Sequence, residues 1–170
     1  MNTTPKKQKD WLTADHNSLK YFASNNFLKN LEYHNSLRIK RLSPIDILFL
    51  DELKLGINSA QVIGLLGDPF FIYNNFIHGD QIQVFSYGLK SGRNNLKVRF
   101  HFLNNIFNFG TIEYRNYLLK HDDINTSFGI KYKLTDFIFF RDIIVDSAGN
   151  SLSFHKEQDT LIVLYSKLTT

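Results

Sequence analysis

The spacing of hydrophobic and polar positions changes near Pro69, from a helical period before it to an alternating one after it. The best-specified helix lies within Gly56–Pro69, GINSAQVIGLLGDP. Asn58 is a favourable N-cap, Gln61 stands at N3 where its side chain can return to the cap N–H, and Ile57 and Val62 occupy the hydrophobic-staple positions. Gly67 can take the positive φ that closes a helix, and Pro69 prevents continuation. Val62, Ile63, Leu65 and Leu66 cover most of the circumference, so this helix is expected to lie beneath other elements. Upstream, Ser43 as cap, Pro44 at the first helical position and Asp46 in the first turn predict another helix. Ile45, Leu48, Phe49 and Leu53 form its apolar face and Gly56 ends it, so the two helices make an αα-hairpin. Leu19, Phe22, Ala23, Phe27, Leu28 and Leu31 recur at helical spacing and predict an N-terminal helix over 16–33.

Beyond Pro69, residues 70–80 form an apolar stretch broken by turn residues, and Gln81 to Tyr87, QIQVFSY, reads as a strand. A polar loop, Gly88 to Asn95, precedes Leu96, Val98, Phe100 and Phe102, which alternate with Lys97, Arg99 and His101 as in a half-buried antiparallel strand. Asn104-Asn105 suits a tight turn, with Ile106 to Arg115 as the return strand. Over 136–143, FIFF followed by DII fits either a helix capped by Thr135 or extended chain, because periodicity does not separate these for a short apolar run. Helix is the preferred reading. SAGN at 147–150 is a turn, Leu152 and Phe154 suggest a short strand, and LIVLYS from Leu161 to Ser166 is apolar on both faces, as in a central strand. The expected fold is α+β: an αα-hairpin packed on an antiparallel β-sheet, with an N-terminal helix and a C-terminal αβ extension. One domain is expected over 13–170, with a core unit at 44–115 and a flexible basic segment at 1–12.

Composition narrows the function classes. The 170 residues suit one domain with an ordinary core, and 43% hydrophobic with 15% aromatic residues argues against disorder. Sixteen Phe against a single Trp and a single Met predict a Phe-rich core. Cysteine is absent, which excludes disulfides, thiolate metal sites and cysteine nucleophiles. The opening MNTTPKKQKDWLTADHN lacks the apolar run of a secretory signal, and no later stretch approaches a transmembrane length, so a cytoplasmic location is expected. The net charge of +4 is local: residues 1–41 carry eight Lys and Arg against three acids, and the rest carries twelve against thirteen. The basic arm is therefore read as a solvated terminus in preference to a nucleic-acid footprint.

Leu55, Gly56, Ile57, Ser59, Val62, Leu66, Gly67 and Pro69 follow an "lGms..eV...lG.P" pattern, and Val84, Phe85 and Tyr87 stand in the position of a "v..Y" strand. Over residues 44–115 the chain thereby resembles the SmpA/OmlA outer-membrane assembly lipoproteins and the beta-lactamase-inhibitor proteins of the same architecture. It departs from them in that no signal peptide is expected and the 170 residues contain no cysteine for a lipobox. The resemblance implies an αα-hairpin on an antiparallel sheet whose open face binds another protein.

Candidate chemistry is sparse. His78 and Asp80, with His121, Asp122 and Asp123, match no metal-ligand spacing and read as turn and cap residues. No catalytic residue, metal or cofactor is assigned, and no P-loop, HExxH or GxSxG occurs. Lys97, Arg99 and His101 share the outer face of one strand, with Lys90 and Arg93 in the loop before it and Phe107 and Phe109 on the partner strand. Such a face suits a protein partner, because Arg and aromatic side chains dominate interface energetics, or single-stranded nucleic acid, which stacks on aromatics. The preferred expectation is a non-enzymatic bacterial protein-binding module of the immunity or inhibitor type that neutralises a toxin or enzyme. A nucleic-acid-associated protein is the alternative, and no membrane partner is expected.

Overall fold

The computed structural model describes residues 33–91, 94–115 and 121–167. The chain divides into two units, Met1–Ser36 and Leu37–Thr170. In the first, residues 33–36 are helical, and the Ser36 hydroxyl donates to the Tyr33 carbonyl at 2.7 Å. The predicted helix over 16–33 falls almost wholly outside the described residues, as does the basic segment 1–12.

The second unit is a sheet. Its strands are β1 (Ile39–Leu42), β2 (Phe71–Ile77), β3 (Asp80–Ser91), β4 (Asn94–Leu103), β5 (Ile106–Arg115), β6 (Asp142–Val145), β7 (Asn150–Glu157) and β8 (Thr160–Lys167), with helices α1 (Ser59–Leu66) and α2 (His121–Lys131). The order across the sheet is β1-β6-β7-β8-β5-β4-β3-β2. β1 runs parallel to β6, and every other pairing is antiparallel. Two meanders, β2 to β5 and β6 to β8, are joined by the β5–β8 ladder. The architecture is thus an eight-stranded mixed sheet carrying short helices, which corrects the expected αα-hairpin on an antiparallel sheet. β8 is central and buried on both faces, as its apolar run required. Among the described residues no helix is long and apolar enough to cross a membrane.

The helix predicted from Ser43 to Leu55 does not form. Ile45, Ile47, Phe49, Leu53 and Leu55 occupy odd positions, and the chain follows that period of two: Ile47, Phe49 and Leu53 are buried while Asp46, Glu52 and Lys54 are exposed. Phe49 and Leu53 exchange backbone hydrogen bonds of 2.8 and 2.9 Å around a turn in which Leu50 and Asp51 have φ of 53° and 68°. Partners elsewhere in the unit satisfy the backbone that a helix would have satisfied internally. The Ile47 N–H donates to Asp146 Oδ2 at 2.8 Å, the Tyr165 hydroxyl donates to the Ile47 carbonyl at 3.1 Å, and Gly56 N–H donates to the Phe107 carbonyl at 2.9 Å.

α1 begins and ends as its sequence specifies. Asn58 and Gln61 form a reciprocal capping box, with both bonds at 2.9 Å. Gly67 has φ 78° and ψ −169°, a region essentially restricted to glycine, and its N–H donates to the Ile63 carbonyl at 2.8 Å. Pro69 follows at the exit from the helix. Ser59 donates to Asn105 Oδ1 at one end of α1, and Tyr87 donates to the Gly67 carbonyl at the other. The helix is less covered than expected: Val62 is buried, Ile63 and Leu66 pack partly against the core, and Leu65 is exposed.

The preferred helix over 136–143 is also absent. Phe137 and Phe139 point inward while Ile138 and Phe140 point out, and the extended option left open by the short run prevails, with turns. Asn125 of α2 holds this segment as a neighbouring strand would, donating to the Phe137 carbonyl and accepting from the Phe139 N–H, both at 3.0 Å. Asp142 accepts the Ile138 N–H at 3.0 Å and also binds Arg41 and Arg141. Burial acts to raise its pKa, but the Arg141 and Ile138 hydrogen bonds and Arg41 outweigh that and hold the carboxyl below its usual range.

Phe49 centres the core. Its ring lies 4.8 Å from Phe100, 5.4 Å from Phe107 and 5.5 Å from Tyr165. The end of the same ring also abuts Gly110 of β5, where an added Cβ would fall 2.5 Å from its Cζ. Gly110→Ala is expected to cost about 1–3 kcal/mol through overpacking. Phe49→Leu should remove much of that increment, so a double-mutant cycle in urea should show strong coupling, and additive effects would deny the contact. Asp146→Asn should lower stability by about 1.5–3 kcal/mol, the range for a hydrogen bond to a charged group. An unchanged urea midpoint would show that Asp146 does not hold residues 43–57.

Candidate functional site

The strand face that carries Lys97, Arg99 and His101 is not open. These side chains are 5%, 1% and 2% exposed, so the expected solvated face is a buried one. Residues 96–102 are buried throughout although polar and apolar side chains alternate along them, which is why the alternation alone suggested a half-exposed strand. Arg99 is ion-paired with Glu113 on β5, and the Ser86 and Thr111 hydroxyls that flank it in register have no hydrogen-bond partner among the described residues.

Phe107 and Phe109 do not share a face. The β4–β5 register pairs His101 with Phe109 but Phe102 with Phe107, so Asn108 is an extra residue that bulges β5 and reverses the side on which its neighbours project. Phe107 therefore joins the core with Phe49, Phe100 and Phe102, while Phe109 stacks on His101 at 4.0 Å between ring centroids. Arg93 lies outside the described residues. Lys90 belongs to β3, which extends into the predicted polar loop, and is exposed. His78 and Gly79 form the β2–β3 turn with φ of 52° and 92°, Asp80 accepts from Asn104 Nδ2, and His121 contacts its neighbour Asp122 at the start of α2. Among the described residues no three His, Asp or Glu side chains are grouped to hold a metal ion.

An exposed apolar edge lies at β2, which the strand reading passed over. It ends the sheet and pairs only with β3 among the described residues. No formally charged side chain occurs between Asp68 and Asp80, yet Phe70, Ile72 and Phe76 are 43%, 46% and 71% exposed. Soluble sheets ordinarily protect such an edge with charge, proline or brevity. The opposite edge shows that protection, since β1 has four residues that include Lys40 and Arg41.

The turn identifies which backbone groups of β2 face outward. A two-residue loop makes Ile77 and Asp80 the hydrogen-bonded pair, so alternation leaves the N–H and C=O groups of Ile72, Asn74 and Phe76 on the open side. The Phe76 N–H accordingly donates to the Asn75 side chain at 2.9 Å instead of to β3. Asn74 in turn accepts from Gln83 Nε2 at 2.9 Å, which fixes its side chain across the β2–β3 ladder. The sequence signal for this edge was the uncharged run FIYNNFI ahead of a His-Gly turn. No family model, no curated protein and no solved structure matches the chain.

His101 gives the buried face a pH dependence. Burial, and secondarily Arg99, hold its imidazole well below the ordinary value near 6.5. The folded state then binds this proton less readily than the unfolded chain, so stability is complete above about pH 6.5 and is lost as pH falls below it, by up to about 1.4 kcal/mol per pH unit. Urea unfolding at pH 7, 6 and 5 should show this decline, and His101→Phe should flatten it. An equal slope in the variant would place the acid sensitivity elsewhere.

Proposed function

We propose that this protein is a non-enzymatic protein-binding module of the immunity or inhibitor type, and that it takes up an extended segment of its partner along β2. The reading is carried by the uncharged, apolar edge of β2, which among the described residues pairs only with β3. Main-chain groups of Ile72, Asn74 and Phe76 would continue the sheet into the incoming strand, which is the source of affinity in β-strand addition. Ile72 and Phe76 would offer apolar contacts at alternate positions, so the favoured segment is itself uncharged and alternately apolar. The partner strand must displace the Asn75 side chain from the Phe76 N–H and supply a carbonyl in its place. Lys97, Arg99 and His101 do not offer the exposed basic surface that the nucleic-acid alternative drew on, because they are buried.

Asn74→Pro separates edge binding from folding, because that N–H faces outward and the β2–β3 ladder does not use it. Affinity capture from the native host with the wild-type chain should recover a protein whose binding slows hydrogen exchange at Ile72, Asn74 and Phe76. Asn74→Pro and Ile72→Lys should each weaken that partner more than tenfold, about 1.4 kcal/mol or more, with the urea midpoint unchanged in Ile72→Lys and lowered in Asn74→Pro only by loss of the exposed Gln83 hydrogen bond. Capture of no protein, or equal binding by both variants, would overturn the proposal.

A further inference from the structure

The seven residues of β2 read FIYNNFI, and their midpoint is Asn74. Inverted about Asn74, the strand keeps its character: Phe71 exchanges with Ile77, Ile72 with Phe76, and Tyr73 with Asn75. Apolar positions thus return to apolar positions on both faces of the strand. No formally charged side chain lies within it, so the exchange opposes no like charges. Asp68 precedes the strand, and Asp80, past the turn, is held by Asn104 Nδ2 at 2.8 Å.

The backbone shares this symmetry. Ile72, Asn74 and Phe76 turn their N–H and C=O groups away from β3, and Asn74 is the middle one of the three. A two-fold axis through Asn74 would set an antiparallel copy of the strand so that Asn74 faces its own counterpart and Ile72 faces Phe76 of the copy. These are hydrogen-bonded positions, so every outward group of the three residues gains a partner, once the Phe76 N–H leaves the Asn75 side chain. The same pairing covers Ile72 and Phe76, which are 46% and 71% exposed, and joins a β-branched to an aromatic side chain, a favourable cross-strand combination. A shift of two residues either way would set Asn74 against Ile72 or Phe76 and leave the other apolar residue beyond the paired length. The opposite edge of the sheet suits β2 less well, because β1 carries Lys40 and Arg41 and β2 offers them no carboxylate.

We infer that β2 pairs with β2 of a second copy of this chain, antiparallel about Asn74, in a closed two-fold dimer with one continuous sheet. A two-fold interface uses the same patch on both copies, so the pairing leaves no β2 edge open for further growth. The inference rests on the edge invoked in the proposed function and adds its resting occupant: a partner strand has to displace the second copy. One strand from each copy makes a small interface, so the dimer is weak and reversible.

Sedimentation equilibrium of the purified full chain tests this in the absence of any partner. The expected result is a reversible monomer–dimer equilibrium that stops at the dimer. Amide hydrogen exchange should slow at Ile72, Asn74 and Phe76 as concentration rises, while Tyr73 and Asn75, already bonded to β3, stay unchanged. Ile72→Lys, at an exposed position, should weaken the dimer more than tenfold. Two double variants read the register, because Ile72 of one copy faces Phe76 of the other. Ile72→Lys with Phe76→Glu should dimerise about fivefold or more tightly than Ile72→Lys with Phe76→Lys at low salt. A monomer at about 1 mM, assembly beyond the dimer, or a dimer without the alternating protection would overturn self-pairing along β2. No difference between the two double variants would overturn the register centred on Asn74. Capture of a host protein is a separate readout, so failure of the dimer and failure of partner binding are distinguishable.

Discussion

The carboxylate of Asp146 is the point on which the second unit turns. It accepts the Ala148 and Asn150 N–H groups at 2.9 Å and the Asn150 side-chain amide at 2.9 Å, which closes the β6–β7 turn, and it also takes the Ile47 N–H. One buried anion therefore shapes a turn and anchors a segment 99 positions away in the chain. Because Ile47 is held there, Phe49 reaches Gly110 and the aromatic cluster, and the Leu50–Asp51 turn comes to stand beside Lys131. A helix over the same residues would have turned Ile47 N–H inward to its own backbone and left the Asp146 charge buried without that partner, an arrangement that costs more than the helix would return.

Much of the local structure was legible because the responsible atoms lie close in sequence. The capping box of α1 needs only Asn58 and Gln61, the closing glycine only Gly67, and the β4–β5 turn only Asn104 and Asn105, whose φ values are 49° and 66°. Segments governed by distant partners were not legible in this way. Residues 43–55 carry a good helix start, but Asp146 and Tyr165 compete for their backbone groups, and neither is signalled within the segment. Residues 136–141 depend in the same manner on Asn125 and Asp142. β1 is four residues long and pairs in parallel with β6 far along the chain, so no short-range pattern marks it.

The candidate site failed to appear in the sequence for two separate physical reasons. Period-two alternation reports chemistry and not exposure, so a strand with polar residues on one face reads as half-solvated even when both faces are covered. The single extra residue in β5 then divides Phe107 from Phe109, and a bulge of that kind has no signature beyond the sequence positions themselves. The reverse holds for β2. Its lack of charge made it resemble an interior segment, whereas its place in the strand order makes that same lack of charge an exposed property.

The β5–β8 ladder has a consequence for how the sheet assembles. β2 to β5 and β6 to β8 are each built from hairpins between neighbouring strands, which close short loops, whereas six residue pairs from Gly110↔Tyr165 to Arg115↔Thr160 join them across about 45–55 positions of chain. Local hairpins form in microseconds, and pairings of large sequence separation form more slowly because loop closure precedes their reward. The two meanders are thus the units expected to form first and the seam between them the step that sets the refolding rate, so substitutions at the β2–β3 turn, already formed when that step is crossed, and at Ile112 or Val163 in the seam itself should move the refolding limb of a chevron plot.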